Sequence, residues 1–303
     1  MSVVQKICST DISVCTNDKQ EMTNTHQGKI CIITGATDGI GKEAALNLAG
    51  IGFTLGLVGR NPDKISSTLA EIQSVTGNDN ITFFLADLSL MNEVRRLGEE
   101  IQSTFDRIDV LLNNAGAYIA DFGKTDEGFE RTFALNHLSY FLLTDMLLDT
   151  LKSTSKSRIV NVASNAHINT NLDFDNLQGF KGYKGWSAYC KSKLCNIMFT
   201  YELARRLENT STTANCLHPG FVKTNFGEDN RRSVRLSLIA AKAVSAINVK
   251  KGAKTSIYLA SSSEVEGVSG KYFAKCKPKD SSPQSYVIED QKRLWDISEQ
   301  LLS

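Results

Sequence analysis

Tyr189 and Lys193 are the two residues whose types and spacing most plainly suggest chemistry. They stand four apart, in Ala188-Tyr189-Cys190-Lys191-Ser192-Lys193. On a helix that spacing puts both on one face, one turn apart. A free phenol titrates near pH ~10, too high for a good base at neutral pH. A neighbouring ammonium favours the phenolate and is expected to lower that value. Such a pair suits a reaction that moves a proton together with a hydride. The spacing alone is common on helix surfaces and gains meaning only in company. Ser164 closes an apolar run, Val162-Ala163-Ser164, where its hydroxyl could hold a substrate carbonyl. Asn136 lies within a helical pattern although Asn is a modest helix former, which points to a buried role there. His137 and His167 flank these residues and read as structural or rim positions; Cys190 and Cys195 read as packing.

The company lies upstream. The first apolar run enters Thr34-Gly35-Ala36-Thr37-Asp38-Gly39-Ile40-Gly41 and then a helical pattern. Three glycines at such a junction permit a tight turn, let backbone approach a pyrophosphate, and let helix and strand pack closely. The helix N-terminus adds free N–H groups and partial positive charge. Gly35, Thr37, Asp38, Gly39, Ile40 and Gly41 are thus candidate cofactor residues. The second run ends Leu57-Val58-Gly59-Arg60-Asn61. Folds that bind NAD usually place an acid there for the ribose 2′-OH. Here a glycine and an arginine stand instead, and Arg60, with Asn61, is suited to a 2′-phosphate. The expected cofactor is therefore NADP(H), although Asp38 is an unhelpful neighbour for a phosphate. Asp87 and Leu88 follow the third run and could reach the adenine. Asn114, Ala115 and Gly116 follow the fourth, where small residues would let a flat cofactor lie against the strand ends.

The elements that must position these residues alternate along the chain. Strands are predicted over 29–34, 53–58, 81–86, 109–113, 158–163, 213–217 and 271–274. Helices are predicted over 40–50, 64–75, 91–105, 129–151 and 187–208. This alternation, with continuous apolar strands, predicts a single-domain α/β fold of the Rossmann type: a doubly wound parallel sheet of about seven strands, with helices on both faces. The expected organisation is a polar N-terminal tail over 1–27 and a dinucleotide-binding domain over 28–303.

Bulk properties narrow the rest. The 303 residues are 41% hydrophobic and carry a net charge of +1, so no field for nucleic acid is expected. The seven cysteines and four histidines show no metal-ligand spacing, so no metal site is expected. An odd thiol count without an apolar leader fits a cytoplasmic setting, and no stretch approaches the length of a membrane span.

Taken jointly, Thr34–Gly41, Asn113–Gly116, Asn136, Ser164, Tyr189 with Lys193, and Pro219-Gly220 resemble the short-chain dehydrogenase/reductase family along almost all of residues 29–276. The resemblance implies that Tyr189 gives or takes the proton. Lys193 would hold the nicotinamide ribose, Ser164 would orient the carbonyl, and Asn136 would hold a water of a proton relay. Pro219, Gly220, Val222 and Thr224 would line the nicotinamide. The 25-residue interval from Ser164 to Tyr189, Ala166-His167, Asn136–Thr144, His218-Pro219-Gly220, Ser269–Phe273 and Trp295 narrow the likeness to the retinol dehydrogenase-like branch. Many of its members carry an apolar N-terminal anchor where this chain has a polar tail. The implied activity is hydride transfer between nicotinamide and a small apolar carbonyl or alcohol. The rivals are a non-redox epimerase, lyase or cyclising enzyme on the same fold, and an NADP-binding sensor without turnover. A homodimer through the helices carrying Asn136 and Tyr189 is common in the family. Residues 224–252 are expected to cover the substrate. Their basic, apolar character also permits contact with an anionic membrane surface, the less favoured reading.

Overall fold

The computed structural model describes residues 26–222 and 248–303. Eight strands form one sheet in the order β3-β2-β1-β4-β5-β6-β7-β8. They are β1 Ile30–Thr34, β2 Thr54–Gly59, β3 Ile81–Leu85, β4 Val110–Asn113, β5 Arg158–Val162, β6 Thr213–His218, β7 Tyr272–Ala274 and β8 Lys277–Pro278. The first seven are parallel, and β8 returns antiparallel beside β7. The expected count of about seven thus becomes eight. Two exposed residues, one of them proline, carry no apolar period by which the sequence could have announced β8.

The helices are α1 Gly39–Gly50, α2 Pro62–Thr76, α3 Met91–Thr104, the short α4 Arg131–Phe133, α5 Ser139–Ser153, α6 Gly185–Arg206, α7 Val249–Ser261 and α8 Ile288–Leu302. One core joins α1 and α7 to one face of the sheet through Ile33, Ala45, Leu48, Leu55, Leu112 and Leu259. The other joins α3, α5, α6 and α8 to the opposite face through Ile32, Leu97, Leu111, Leu147, Met198 and Trp295. Strand order reverses between β1 and β4, and in doubly wound sheets ligands bind in the crevice beyond such a reversal. The described loops that follow β1, β2, β3, β4, β5 and β6 open at that edge.

Two differences from the predicted elements, and one expectation that falls mostly outside the described residues, bear on function. The single helix expected over 129–151 is interrupted by a π-turn over Ala134–Leu138, where the Ser139 N–H reaches the Ala134 carbonyl. Asn136 sits inside it, and such turns concentrate at functional sites. The expected cover over 224–252 lies outside the described residues except for its last five. Those belong to α7 or its cap: Asn248 accepts from the Lys251 N–H at 2.9 Å, and Gly252 packs on Val222. Finally, α8 lies across α5 and α6, with Trp295 against Phe141 (4.8 Å) and Phe199 (5.7 Å).

Candidate active site

The glycine loop is built by close approach. Gly35 has φ +65°, a region that favours glycine, and a side chain there would meet the Ala115 backbone at 2.9 Å. A side chain at Gly41 would collide with the Gly35 carbonyl and the Asn114 amide. Asn114 ties the two strand ends together: its backbone N–H donates to Thr34 Oγ1 (2.9 Å) and its Nδ2 to the Thr34 carbonyl (2.8 Å). Ala115 N–H donates to the same hydroxyl at 3.0 Å. Asp38 caps α1 through Gly39 N–H (2.6 Å), and Lys64 lies 3.3 Å from its carboxylate. The negative charge in the loop therefore has a local counter-charge.

At the end of β2, Gly59 is enclosed. A side chain there would strike the Thr37 methyl at 2.7 Å and the Phe83 ring at 3.2 Å. A side chain at this position would require Thr37 and Phe83 to shift. Arg60 follows, exposed, on a groove of about 540 Å³ shared with Ala86 and Asp87. Asn61 caps α2, its Oδ1 accepting from Lys64 N–H at 3.0 Å, and Asp87 accepts from the Ser89 N–H and hydroxyl. Leu88 is buried and Ile40 half-buried. The loop after β6 brings Pro219, Gly220 (φ +93°) and buried Val222 to the same edge. Thr224 lies outside the described residues.

On the other side of the crevice the candidate quartet assembles. Tyr189 is buried, with a hydrogen bond to Ser164. Lys193 is buried one turn on, and its Nζ donates to the Val162 carbonyl at 2.9 Å, 5.9 Å from the Tyr189 ring centre. Asn136 Nδ2 donates to the Ala117 carbonyl (3.0 Å) and Ser192 Oγ (3.0 Å), while Oδ1 accepts from Ala117 N–H (2.9 Å). Its side chain therefore clamps the β4 loop to α6. A side chain at Gly116 would press on both Asn136 Oδ1 and Lys193 Nζ, each at 3.2 Å.

The electrostatics differ from the simple expectation. Burial pushes the Tyr189 phenol up to about 12, and the hydrogen bond with Ser164 only partly opposes it. Burial also pushes the Lys193 amine down to about 7. Sequence spacing predicts a tyrosine lowered by lysine. In the free protein desolvation instead pushes both groups toward their neutral forms, and the Lys193 amine is directed to the Val162 carbonyl.

Several contributors carried little sequence signal. His167 Nε2 accepts from the Ser282 N–H (3.0 Å), so its Nδ1 is the protonated nitrogen and donates to the Ser164 carbonyl (2.6 Å). This ties the Ser164 turn to the segment before α8. His218 Nδ1 accepts from Asn165 N–H at 3.0 Å on the same turn. Glu130 caps α4, accepting from the Thr132 and Phe133 N–H groups at 2.8 Å each, and so anchors the approach to Asn136. Trp186 stacks on Tyr189 (centres 5.6 Å apart, 27°), and Tyr118 meets both edge-on. Only the spacing of Trp186, three residues before Tyr189, could have hinted at that contact.

With this geometry in view, the comparisons are consistent. The short chain dehydrogenase family profile matches residues 29–235. Human retinol dehydrogenase 14 is 38% identical over 291 residues, covering 90% of this chain and 85% of its own. Human retinol dehydrogenase 13 is 37% identical, covering 92% and 86%. Among solved structures, an uncharacterised protein from Mycobacterium paratuberculosis superposes with a TM-score of 0.75 at 28% identity, covering 92% of this chain and 95% of that one. A short chain dehydrogenase from Salmonella enterica superposes with a TM-score of 0.64 at 25% identity, covering 84% and 98%. The chain belongs to the short-chain dehydrogenase family, in its retinol dehydrogenase-like branch. It is accordingly an oxidoreductase. Among the described residues, no helix is long and apolar enough to cross a membrane.

Proposed function

We propose that the protein is an NADP(H)-dependent reductase or dehydrogenase acting on an apolar carbonyl or alcohol, with Tyr189 as its acid/base. The observation that carries this reading is the Tyr189 phenol, buried and hydrogen-bonded to Ser164, within reach of Lys193 and beside the glycine-lined crevice. The cradle fits a dinucleotide: Gly35, Gly41 and Gly116 keep side chains out, and α1 offers its N-terminus. Gly59 and Arg60 favour the 2′-phosphorylated form. When bound, the nicotinamide supplies or accepts the hydride.

The chain's own residues do the rest. Ser164 and Tyr189 hold the carbonyl oxygen between them, and Tyr189 gives it a proton in the reducing direction. A phenol held protonated by burial is ready to donate. Lys193 stabilises the phenolate left behind. Phe122, Ile168 and Phe180 are exposed on the loops after β4 and β5 and on the segment leading into α6, and Trp186 is exposed in the first turn of α6. They form an apolar approach, which supports an apolar substrate.

NADPH oxidation against a panel of aldehydes and ketones tests the class. Tyr189→Phe should remove turnover while NADPH binding, read by fluorescence, stays within about threefold. Retained turnover would discard the mechanism. Product formed without stoichiometric NADPH loss would favour a non-redox reaction.

A further inference from the structure

A column of buried polar side chains lies beneath the candidate centre, and the chemistry above does not use it. Helix α5 contributes Tyr140 and Thr144, one and two turns beyond Asn136. Helix α6 contributes Thr200, two turns beyond Lys193, and the strands contribute Asn113 and Asn161. All five are more than nine-tenths buried. Asn113 Nδ2 donates to Thr144 Oγ1 (3.0 Å) and Asn161 Oδ1 (2.9 Å), and Asn161 Nδ2 donates to Thr200 Oγ1 (3.0 Å). Two oxygens of this column have no protein partner: the Tyr140 hydroxyl and Asn113 Oδ1. The Tyr140 ring centre lies 5.6 Å from Lys193 Nζ, and its phenol is close enough to Tyr189 to feel that group's charge.

A buried hydroxyl without a partner is costly, and phenylalanine would fill nearly the same space without that cost. Interiors satisfy such groups with ordered water where protein supplies no partner. Lys193 has three donors, and the Val162 carbonyl on β5 takes one. The groups around its amine are Tyr189 on its own helix, Tyr140 on α5, the Val162 carbonyl, and Asn136 with the Gly116 loop. The two phenols are the titratable members, and burial alone lowers the amine's basicity. Retention of an ammonium here therefore rests on neutral oxygens and ring faces.

We propose that Tyr140 is a positioning residue for Lys193: its hydroxyl, through a shared interior water, accepts a hydrogen bond from the ammonium and holds that charge beside Tyr189. The inference rests on the acid/base reading of Tyr189 and Lys193 given above. The test uses Tyr140→Phe in the full chain with NADPH and a carbonyl that the parent protein reduces. The KM for NADPH should stay within about twofold while kcat falls about fivefold. The alkaline limb of the kcat profile should move to lower pH, because the ammonium has lost a partner. A parental kcat and pH profile would overturn the proposal. A second measurement is independent of turnover. The melting temperature of the variant relative to the parent, without cofactor, should be less favourable at pH 6, where the ammonium is present, than at pH 9. An equal difference at both pH values also overturns the proposal. If the parent reduces no carbonyl, the functional reading fails, yet the melting comparison still decides the link between Tyr140 and Lys193.

Discussion

The two halves of the crevice solve different problems with different materials. On the nucleotide side, β1–β3 with α1 and α2 rely on backbone, small residues and surface charge. Glycines create space, Asp38 and Asn61 cap helices, and Arg60 and Lys64 stay exposed. On the chemistry side, β4–β6 with α5 and α6 bury polar groups: Asn113, Asn136, Ser192 and Lys193 are all at least nine-tenths inaccessible. A diffusing, highly charged ligand can be met by exposed cations and free N–H groups. A proton donor whose basicity must be controlled needs desolvation, and desolvation demands that every neighbour be placed.

Breaking the nucleotide side should be a matter of space. Gly41→Val should have the largest effect, because its side chain would overlap the Gly35 carbonyl and the Asn114 amide. NADPH affinity, measured by fluorescence titration, should drop more than about 100-fold, with a lowered melting temperature. Breaking the chemistry side should show as pH dependence. Lys193→Met should cut kcat by about 100-fold. The amine titrates near 7 in the folded protein, below its ordinary value, so above pH 7 the unfolded chain binds more protons than the folded one. Stability without cofactor should therefore rise as pH climbs from 7 toward 9, and Lys193→Met should flatten that rise in chemical unfolding.

A smaller effect comes from His137, fully buried against Ser298 (2.9 Å) and held down to about 4 by burial. Its folded value lies below its unfolded one. The protein should thus lose stability as pH falls through 6.5 toward 4, by at most about 3 kcal/mol from this residue. Urea unfolding at pH 7 and pH 4.5 should reveal it, and His137→Phe should reduce the difference. The smallest effect sharpens the nucleotide side. Arg60→Ala should raise the KM for NADP about tenfold and leave that for NAD nearly unchanged, as removal of one charged phosphate contact at the surface would. Equal changes in both constants would remove the basis for the proposed NADP preference.

The two sides also differed in how legible they were. The glycine loop, Arg60, and the Tyr189–Lys193 pair could be read because each depends on neighbours close in sequence. The seven parallel strands followed from continuous apolar runs and lie within a residue of prediction at either end. What escaped reading depends on distant partners. The π-turn at Asn136 has no local signature, since its residues are ordinary helix formers or neutral. The roles of His167, Ser192 and Tyr140 arise only when α5, α6 and the β4 loop converge. Spacing could bring Lys193 near Tyr189, but it could not show that burial outweighs their mutual attraction.

Helix α8 has a consequence in the order of folding. Its contacts with the quartet's supporting helices span great distances along the chain, as Ser298 with His137 does over 161 positions. During synthesis Phe141 and Phe199 are made long before Trp295, the residue that closes over them. Until then two aromatic faces wait for a partner, and the closure is the kind of distant contact that slows folding and exposes intermediates to association. Weakening α8 should therefore show first in the yield of soluble protein, and only afterwards in the rate of the finished enzyme.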